Sequence, residues 1–294
     1  MTSKGLLRGS IALSALLAAG CGGTEEPAPK PAETSQPGAP AAPASGTEAV
    51  LEHHLASFNA LDMDATLADY GPDAVFISPL GTARGTDAIK AVFEGMMAEF
   101  GQPGTSFEIL KQIIEGDIAF IIWKAETADN LYEFGTDTFL IRDGKILQQT
   151  LTLKATPKGE TPPEKPAGDQ EAGAGPPEGP TASVLKHHLG AFGAQDLEGL
   201  LSDYTDESIL ITPDGTISGR EGLKAVFEGM MAEFGQPGSS FEMAKTVIDG
   251  ELAYILWSAE TANNVYELGT DTFFVRDGKI AAQTLAVKVT PKGS

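Results

Sequence analysis

The sequence predicts an α+β fold that occurs twice in the chain. Residues 47–156 align without a gap on residues 181–290, and 63 of the 110 aligned pairs are identical. Within each repeat, apolar residues recur first at helical spacing and then at alternate positions, as in helices followed by strands. Two proline-rich segments, 21–46 and 157–180, flank the first repeat. We therefore predict two domains, 47–156 and 181–294, with a disordered tether before the first and a linker between them.

Helices open each repeat. In the first copy, Asp62 is placed to cap a short second helix that carries Leu67 and Tyr70, and Tyr70 is interpreted as a helix-packing residue. The apolar face of the first helix is formed by Val50, Leu51, His54, Leu55 and Phe58.

A short strand at 74–78 follows these helices and ends at Pro79. Gly81 and Gly85 mark turns, after which Thr86 or Asp87 can cap a long third helix. Four longer strands are predicted at 106–115, 118–127, 131–142 and 145–155, where apolar residues alternate.

The strand from Ile118 is apolar on both of its faces. Ile118, Phe120 and Ile122 alternate with Ala119, Ile121 and Trp123. One face is expected to cover the helices, and the other needs a second partner, because a wide apolar surface is rarely left in water. The second copy is the nearest candidate, so we expect an intramolecular pseudo-dimer, sheet against sheet.

Composition excludes several classes of function. With 20 basic and 41 acidic residues, the formal charge is −21, which disfavours nucleic acid and anionic lipid surfaces as partners. The single cysteine, Cys21, excludes an internal disulfide and a multi-thiolate metal site. The paired histidines, His53 and His54, lack the i, i+3 or i+4 spacing that lets helical ligands converge, so we expect no metal site. The sequence contains no phosphate loop or nucleotide fingerprint, and we expect no cofactor.

The first 21 residues predict export. Lys4 and Arg8 precede an apolar run, 11–19, that is too short to span a bilayer, as in a secretory signal peptide over 1–20. Residues 17–21 resemble a bacterial lipobox, in which Cys21 is lipidated and becomes the first residue of the mature chain. We therefore predict a protein anchored in the cell envelope through acylated Cys21, at the outer membrane if the bacterium has two membranes.

The order of elements carries a family resemblance. Asp62, Leu67, Tyr70 and the run 73–75 lead to Pro79 and then to Arg84-Gly85 before the long helix. This pattern resembles the NTF2-like superfamily, and within it SnoaL-like and ketosteroid-isomerase-like proteins. The resemblance implies cone-shaped domains in which a strongly curved, mainly antiparallel sheet wraps helices around an apolar cavity, and in which domains commonly pair through their sheets.

The resemblance also implies candidate site residues. Ketosteroid isomerase uses an aspartate base and an oxyanion hole of a tyrosine and a protonated aspartate. The base position falls at Ser78 and the oxyanion aspartate at Asp137; a serine hydroxyl cannot abstract a carbon-bound proton without its own base. No catalytic residue is therefore assigned, although Glu126 or Glu133, with Glu260 or Glu267 in copy two, are alternative bases. The candidate pocket residues are His54, Ser78, Trp123, Asp137 and Gln149 in copy one, and His188, Thr212, Trp257, Asp271 and Gln283 in copy two.

Three functions remain open from the sequence. The first is binding of a small, mainly apolar ligand without catalysis. The second is an enzyme of the isomerase, cyclase or dehydratase kind, and the third is an interaction scaffold with closed cavities. Side chains that fill the space between His54 and Asp137 would favour the scaffold.

Overall fold

The computed structural model describes residues 46–159 and 178–293, which cover both repeats. The predicted signal peptide, the predicted lipidation site at Cys21, the predicted tether as far as residue 45 and the linker residues 160–177 lie outside the described residues. Among the helices that are described, none is long and apolar enough to cross a membrane.

Copy one contains three helices and a six-stranded curved sheet. The strand order is β2-β1-β6-β5-β4-β3, in which β1 and β6 are parallel and every other neighbouring pair is antiparallel. The helices are α1 (Gly46–Asn59), α2 (Met63–Ala68) and α3 (Gly85–Phe100); the strands are β1 (Tyr70–Ser78), β2 (Gly81–Arg84), β3 (Ser106–Glu115), β4 (Ile118–Glu126), β5 (Asn130–Arg142) and β6 (Lys145–Pro157).

Copy two repeats this architecture with the order β8-β7-β12-β11-β10-β9. Its helices are α4 (Pro180–Gly193), α5 (Leu197–Leu201) and α6 (Gly219–Phe234); its strands are β7 (Tyr204–Thr212), β8 (Gly215–Ser218), β9 (Ser240–Asp249), β10 (Leu252–Glu260), β11 (Asn264–Arg276) and β12 (Lys279–Pro291). The predicted α+β class with two repeated domains is confirmed.

The helical and meander elements agree with the sequence analysis, whereas the region between them differs. Asp62 caps α2, because its carboxylate accepts a hydrogen bond from the backbone N–H of Ala65 at 3.0 Å. The prediction for the first strand was too short, since β1 already begins at Tyr70, and β2 was missed because Gly81 was interpreted as a turn. The predicted caps of α3 were wrong: Arg84 holds the N-cap position in an extended conformation, without a side-chain hydrogen bond.

Strand β4 separates two hydrophobic clusters. Ala119, Ile121 and Trp123 belong to the core that lies between the sheet and the helices of copy one. The alternate residues, Ile118, Phe120 and Ile122, belong to a second cluster that contains residues of both copies. The two sheets therefore pack face to face, with their hydroxyl pairs Thr138–Thr284 and Thr150–Thr272 each at 2.8 Å.

Candidate functional site

His54 lies inside the cone of copy one and is enclosed by aromatic rings. Its position on α1 turns the imidazole towards the sheet, where 3% of the residue remains exposed. The ring centroids of Tyr70, Phe93 and Phe139 lie 5.4, 5.7 and 5.7 Å from that of His54, all in edge-to-face arrangements. Such geometry is favourable for packed aromatic groups, so these rings occupy the space beside the imidazole.

Asp137 lies in a buried network of four side chains. Trp123 Nε1 donates to Asp137 Oδ2 at 2.7 Å, and Gln149 Nε2 donates to Asp137 Oδ1 at 2.7 Å. The Tyr70 hydroxyl in turn donates to Gln149 Oε1. Each carboxylate oxygen thus has a donor from its own domain, as a buried polar group requires. Tyr70 and Gln149 connect the surroundings of His54 to Asp137.

A glycine makes this network geometrically possible. Gly135 lies opposite Trp123 in the β4–β5 pair, and the indole ring lies across its Cα. A Cβ atom at Gly135 would be 2.3 Å from Trp123 Cε2, which is far below van der Waals contact. The absence of a side chain at this position therefore lets the indole reach Asp137.

Burial controls the protonation of the network. Burial raises the pKa of Asp137 to about 6, and the hydrogen bonds from Gln149 and Trp123, together with the nearby His54, act in the opposite direction. Burial, followed by the charges of Asp137 and Asp69, raises the pKa of Tyr70 well above 10. Tyr70 therefore stays a neutral donor at any physiological pH, whereas Asp137 changes charge in mildly acidic solution.

Copy two contains the same network. Trp257 Nε1 and Gln283 Nε2 donate to Asp271 at 2.7 and 2.6 Å, and the Tyr204 hydroxyl donates to Gln283. Burial raises the pKa of Asp271 to about 6. His188 is enclosed by Tyr204, Phe227 and Phe273 at 5.7, 5.9 and 5.3 Å. Burial, with a smaller contribution from His187, lowers the pKa of His188 to about 3, so this imidazole is neutral.

The adjacent histidines converge on one carboxylate, which the sequence analysis missed. His53 Nδ1 lies 2.8 Å from Asp69 Oδ1, and His54 Nδ1 lies 3.5 Å from Asp69 Oδ2. Copy two has the same arrangement at Asp203, with 2.8 Å to His187 and 3.8 Å to His188. The spacing rule that argued against convergence considers one helix, whereas Asp69 comes from the C-cap of α2. The signal was the aspartate directly before the first tyrosine of β1, which recurs directly before the first tyrosine of β7.

This His-Asp-His arrangement gives no metal site. Within residues 46–159 and 178–293, no group of three or more histidine, cysteine or acidic side chains could hold an ion. The facing atoms His54 Nδ1 and Asp69 Oδ2 are both buried and have no hydrogen-bond partner.

Ser78 and Thr212, at the position of the isomerase base, serve as turn residues. Ser78 Oγ accepts from the backbone N–H of Leu80 at 3.2 Å and donates to the carbonyl of Gly81 at 3.4 Å. Thr212 makes the equivalent contacts with Asp214 and Gly215 at 3.3 and 3.2 Å. These bonds close the β1–β2 and β7–β8 hairpins, and neither hydroxyl hydrogen-bonds to the Asp137 or Asp271 network.

The alternative glutamate bases pair with lysines. Glu126 lies 2.8 Å from Lys158, and Glu260 lies 2.6 Å from Lys292, in both cases with more than half of the glutamate side chain exposed. Their neighbours Glu133 and Glu267 form ion pairs with lysines of the other copy, Lys288 and Lys154. All four glutamates thus form ion pairs with lysines, and none of these ion pairs involves a residue of the Asp137 or Asp271 network.

Two cavities among the described residues lie away from the candidate residues. One, of about 350 Å³, lies between the copies and is lined by residues that include Pro72, Arg142 and Asp249. The other, of about 240 Å³, lies in copy one between the ends of α1 and α3 and the start of β3, and its lining includes Phe58, Phe100, Thr105 and Phe107. None of the five candidate pocket residues of copy one lines either cavity.

Comparison with known proteins identifies the domain type. Residues 51–149 and 185–283 match the family model of the SnoaL-like domain. The chain matches none of the curated proteins with which it was compared.

Solved structures resemble one copy at a time. An NTF2-like protein of unknown function from Mesorhizobium loti is 25% identical, with 38% of this chain and 96% of that chain covered and a TM-score of 0.34. A putative polyketide cyclase from Sinorhizobium meliloti is 21% identical, with 35% and 93% covered and a TM-score of 0.31. An LEH-like epoxide hydrolase from M. tuberculosis is 17% identical, with 37% and 83% covered and a TM-score of 0.32.

Proposed function

Because this chain belongs to the SnoaL-like domain family and carries two of its domains, we propose that it is a non-catalytic interaction module of the bacterial cell envelope. The observation that carries this proposal is the closed state of both cones. In each cone, the two oxygens of the buried aspartate accept from a tryptophan and a glutamine, and the histidine is surrounded by three aromatic rings.

This arrangement argues against acid or base catalysis. A general acid or base must come within hydrogen-bond reach of its substrate. Asp137 is buried and each of its carboxylate oxygens already accepts a hydrogen bond, so a substrate could reach it only by opening the packing around Trp123 and Gln149. Each broken buried hydrogen bond costs on the order of 1–3 kcal/mol. The network therefore favours the closed cone, without a bound substrate.

The envelope location rests on the sequence features of residues 1–45. An acylated Cys21 would hold the chain at a membrane, and the proline-rich tether would separate the domains from it. The full chain has a formal charge of −21, so it is repelled by an anionic membrane surface. The expected partner therefore has a basic surface, because charge complementarity speeds association and discriminates against acidic surfaces.

A second candidate function is binding of a small, mainly apolar ligand. The cavity of about 240 Å³ at the end of the copy-one cone is the observation behind it, and its lining combines three phenylalanines with polar residues that include Asn59, Gln102 and Thr105. The Thr105 hydroxyl is buried and has no hydrogen-bond partner, and the equivalent Ser239 hydroxyl in copy two is in the same state. A ligand with an apolar part for the phenylalanine rings and hydrogen-bonding groups for the polar side chains would suit such a lining.

The deciding experiment is native mass spectrometry of the full chain with Cys21→Ser, before and after incubation with a lipid extract of the producing bacterium. Bare protein in both spectra is expected for the interaction module. A retained molecule would instead support ligand binding, and its loss in Thr105→Val but not in Asp137→Asn would assign it to the cavity at the end of the cone.

A second experiment tests the lipid anchor by membrane fractionation. Release of the Cys21→Ser chain from the membrane fraction is expected, and continued retention would contradict the lipid anchor.

A further inference from the structure

Some contacts between the two copies obey an internal two-fold symmetry, and others do not. The hydroxyl pairs Thr138–Thr284 and Thr150–Thr272 are equivalent, since each joins the same two positions of the repeat. The ion pairs Lys154–Glu267 and Lys288–Glu133 are equivalent in the same way. These contacts would also form if a copy paired with another copy of itself, so they do not select the partner.

One central contact breaks this symmetry. Thr152 Oγ1 lies 2.7 Å from the hydroxyl of Tyr254 and 3.1 Å from Thr270 Oγ1, all within the buried interface. The symmetry-related positions are Ala286, Phe120 and Thr136, of which the first two have no hydroxyl. Thr136 Oγ1 is buried without a hydrogen-bond partner.

Two further contacts depend on side chains of copy one that copy two lacks. Arg84 forms an ion pair with Asp249, and Gln148 Nε2 donates to the backbone carbonyl of Asp249 at 3.2 Å. The positions equivalent to Arg84 and Gln148 are Ser218 and Ala282, which can make neither contact.

From this asymmetry we propose that the sheet face of copy two is built to bind copy one and is not self-complementary. Pairing of copy two with itself would place Tyr254 opposite Ala286 on both sides of the axis, so each buried phenol would lose its Thr152 partner. It would also place Ser218 and Ala282 opposite Asp249. The chain therefore closes on itself as a pair of unlike domains, and Thr152, Tyr254, Arg84 and Gln148 determine which domain binds which.

The first test cuts the folded chain and asks which halves stay together. A specific protease site is introduced between residues 160 and 177 of the full chain with Cys21→Ser, and the cut protein is held at micromolar concentration until exchange is complete. Native mass spectrometry then separates pairs of copy one with copy two from pairs of like copies by mass. Unlike pairs with no like pair of copy two are expected. A statistical 1:2:1 mixture would overturn the proposal.

The same readout tests the residues. In the triple variant Arg84→Ser, Gln148→Ala, Thr152→Ala, copy one carries the residues of copy two, and the unlike pair should dissociate at least about tenfold more readily than in the wild type. The matched control Thr138→Ser retains a symmetric hydroxyl contact and should leave the dissociation constant within about threefold. Equal effects of the two variants would contradict the assignment.

A double-mutant cycle keeps the proposal testable if cutting unfolds a half. In the uncut chain, Thr152→Ala and Tyr254→Phe should be coupled, so that the second substitution shifts the unfolding equilibrium less once the first is present. The mirrored variant Phe120→Tyr with Ala286→Thr should recover part of the loss, because it rebuilds the contact on the other side of the axis. Additive effects of Thr152→Ala and Tyr254→Phe, together with no recovery of stability in the mirrored variant, would overturn the proposal.

Discussion

The cone interior and the sheet face differ in how far the two copies have diverged. Of the 16 buried residues in the core of copy one, 12 are identical in copy two. Of the seven residues that copy one contributes to the shared cluster between the sheets, Ile77 alone is identical, to Ile211. The replacements within that cluster include Phe120 to Tyr254 and Leu140 to Phe274.

The difference teaches which physical constraint acts on each region. Inside a cone, all partners of a side chain belong to the same copy. A substitution of Trp123 or Gln149 therefore removes a hydrogen-bond donor from Asp137, and no residue of the other copy can replace it. On the shared face, a change in one copy can be balanced by a change in the other, as the Thr152–Tyr254 contact illustrates. Divergence on this face therefore gives two unlike and complementary surfaces.

The largest effect is expected when the glycine beside the buried tryptophan is replaced, because this substitution disrupts the network in either copy. Gly135→Ala and Gly269→Ala should each destabilise the protein by about 3 kcal/mol or more, because the added methyl would lie 2.3 and 2.4 Å from Cε2 of Trp123 and Trp257. The midpoint of urea denaturation measures the loss. Gly95→Ala is the matched control, since its Cβ meets nothing within 4 Å on α3, and it should raise the stability by about 0.5–1 kcal/mol. Tolerance of both core substitutions would contradict the described packing.

The next effect is a loss of stability as the pH rises. Because the pKa of Asp137 is about 6 in the folded chain and 3.8 as its ordinary value, the folded state binds this proton more tightly than the unfolded state. The stabilisation from the protonated carboxyl is full below pH 3.8 and is lost as the pH rises through 6. This difference in pKa between the folded and unfolded states corresponds to roughly 3 kcal/mol in the free energy of unfolding, and Asp271 should contribute similarly.

This pH dependence is isolated by subtraction. Asp137→Asn cannot ionise, so the free energy of unfolding of the wild type should decrease between pH 4 and pH 7 by up to about 3 kcal/mol relative to this variant. Subtraction is needed because the lowered pKa of His188 acts in the opposite direction over the same range. The two tryptophans each donate to one of these aspartates, so their fluorescence should titrate near pH 6. A fluorescence signal that is flat from pH 4 to 8 would refute the assignment.

A smaller effect tests whether the phenol completes the network. Tyr70→Phe and Tyr204→Phe keep the ring contacts with the histidines but leave the amide oxygens of Gln149 and Gln283 buried without a donor. Each substitution should cost about 1–2 kcal/mol in the free energy of unfolding, measured by urea denaturation. A cost near zero in one copy but not in the other would show that the two cones differ more than their shared geometry indicates.

The sequence predicted the repeated fold and most of its strands, but it did not predict how the candidate residues are connected. Alternation of apolar residues over 106–157 is a strong local signal, and β3 was predicted with the bounds that are observed. Tyr70 was assigned to a helix because no local pattern shows that its hydroxyl reaches Gln149, 79 positions further along the chain. Asp69 was missed for the same reason, since its histidine partners lie on another helix.

The smallest effect concerns the position at which a catalytic base was sought. Ser78→Ala and Thr212→Ala should each cost about 0.5–1 kcal/mol, since each hydroxyl makes two long hydrogen bonds within a hairpin turn. The tryptophan fluorescence titration should keep its midpoint near pH 6 in both variants, because neither hydroxyl hydrogen-bonds to Asp137 or Asp271. A shift of that midpoint by one unit would place the hydroxyl in electrostatic contact with the carboxyl and would restore the enzyme as the better hypothesis. An unchanged midpoint with the small loss of stability confines Ser78 and Thr212 to their turns.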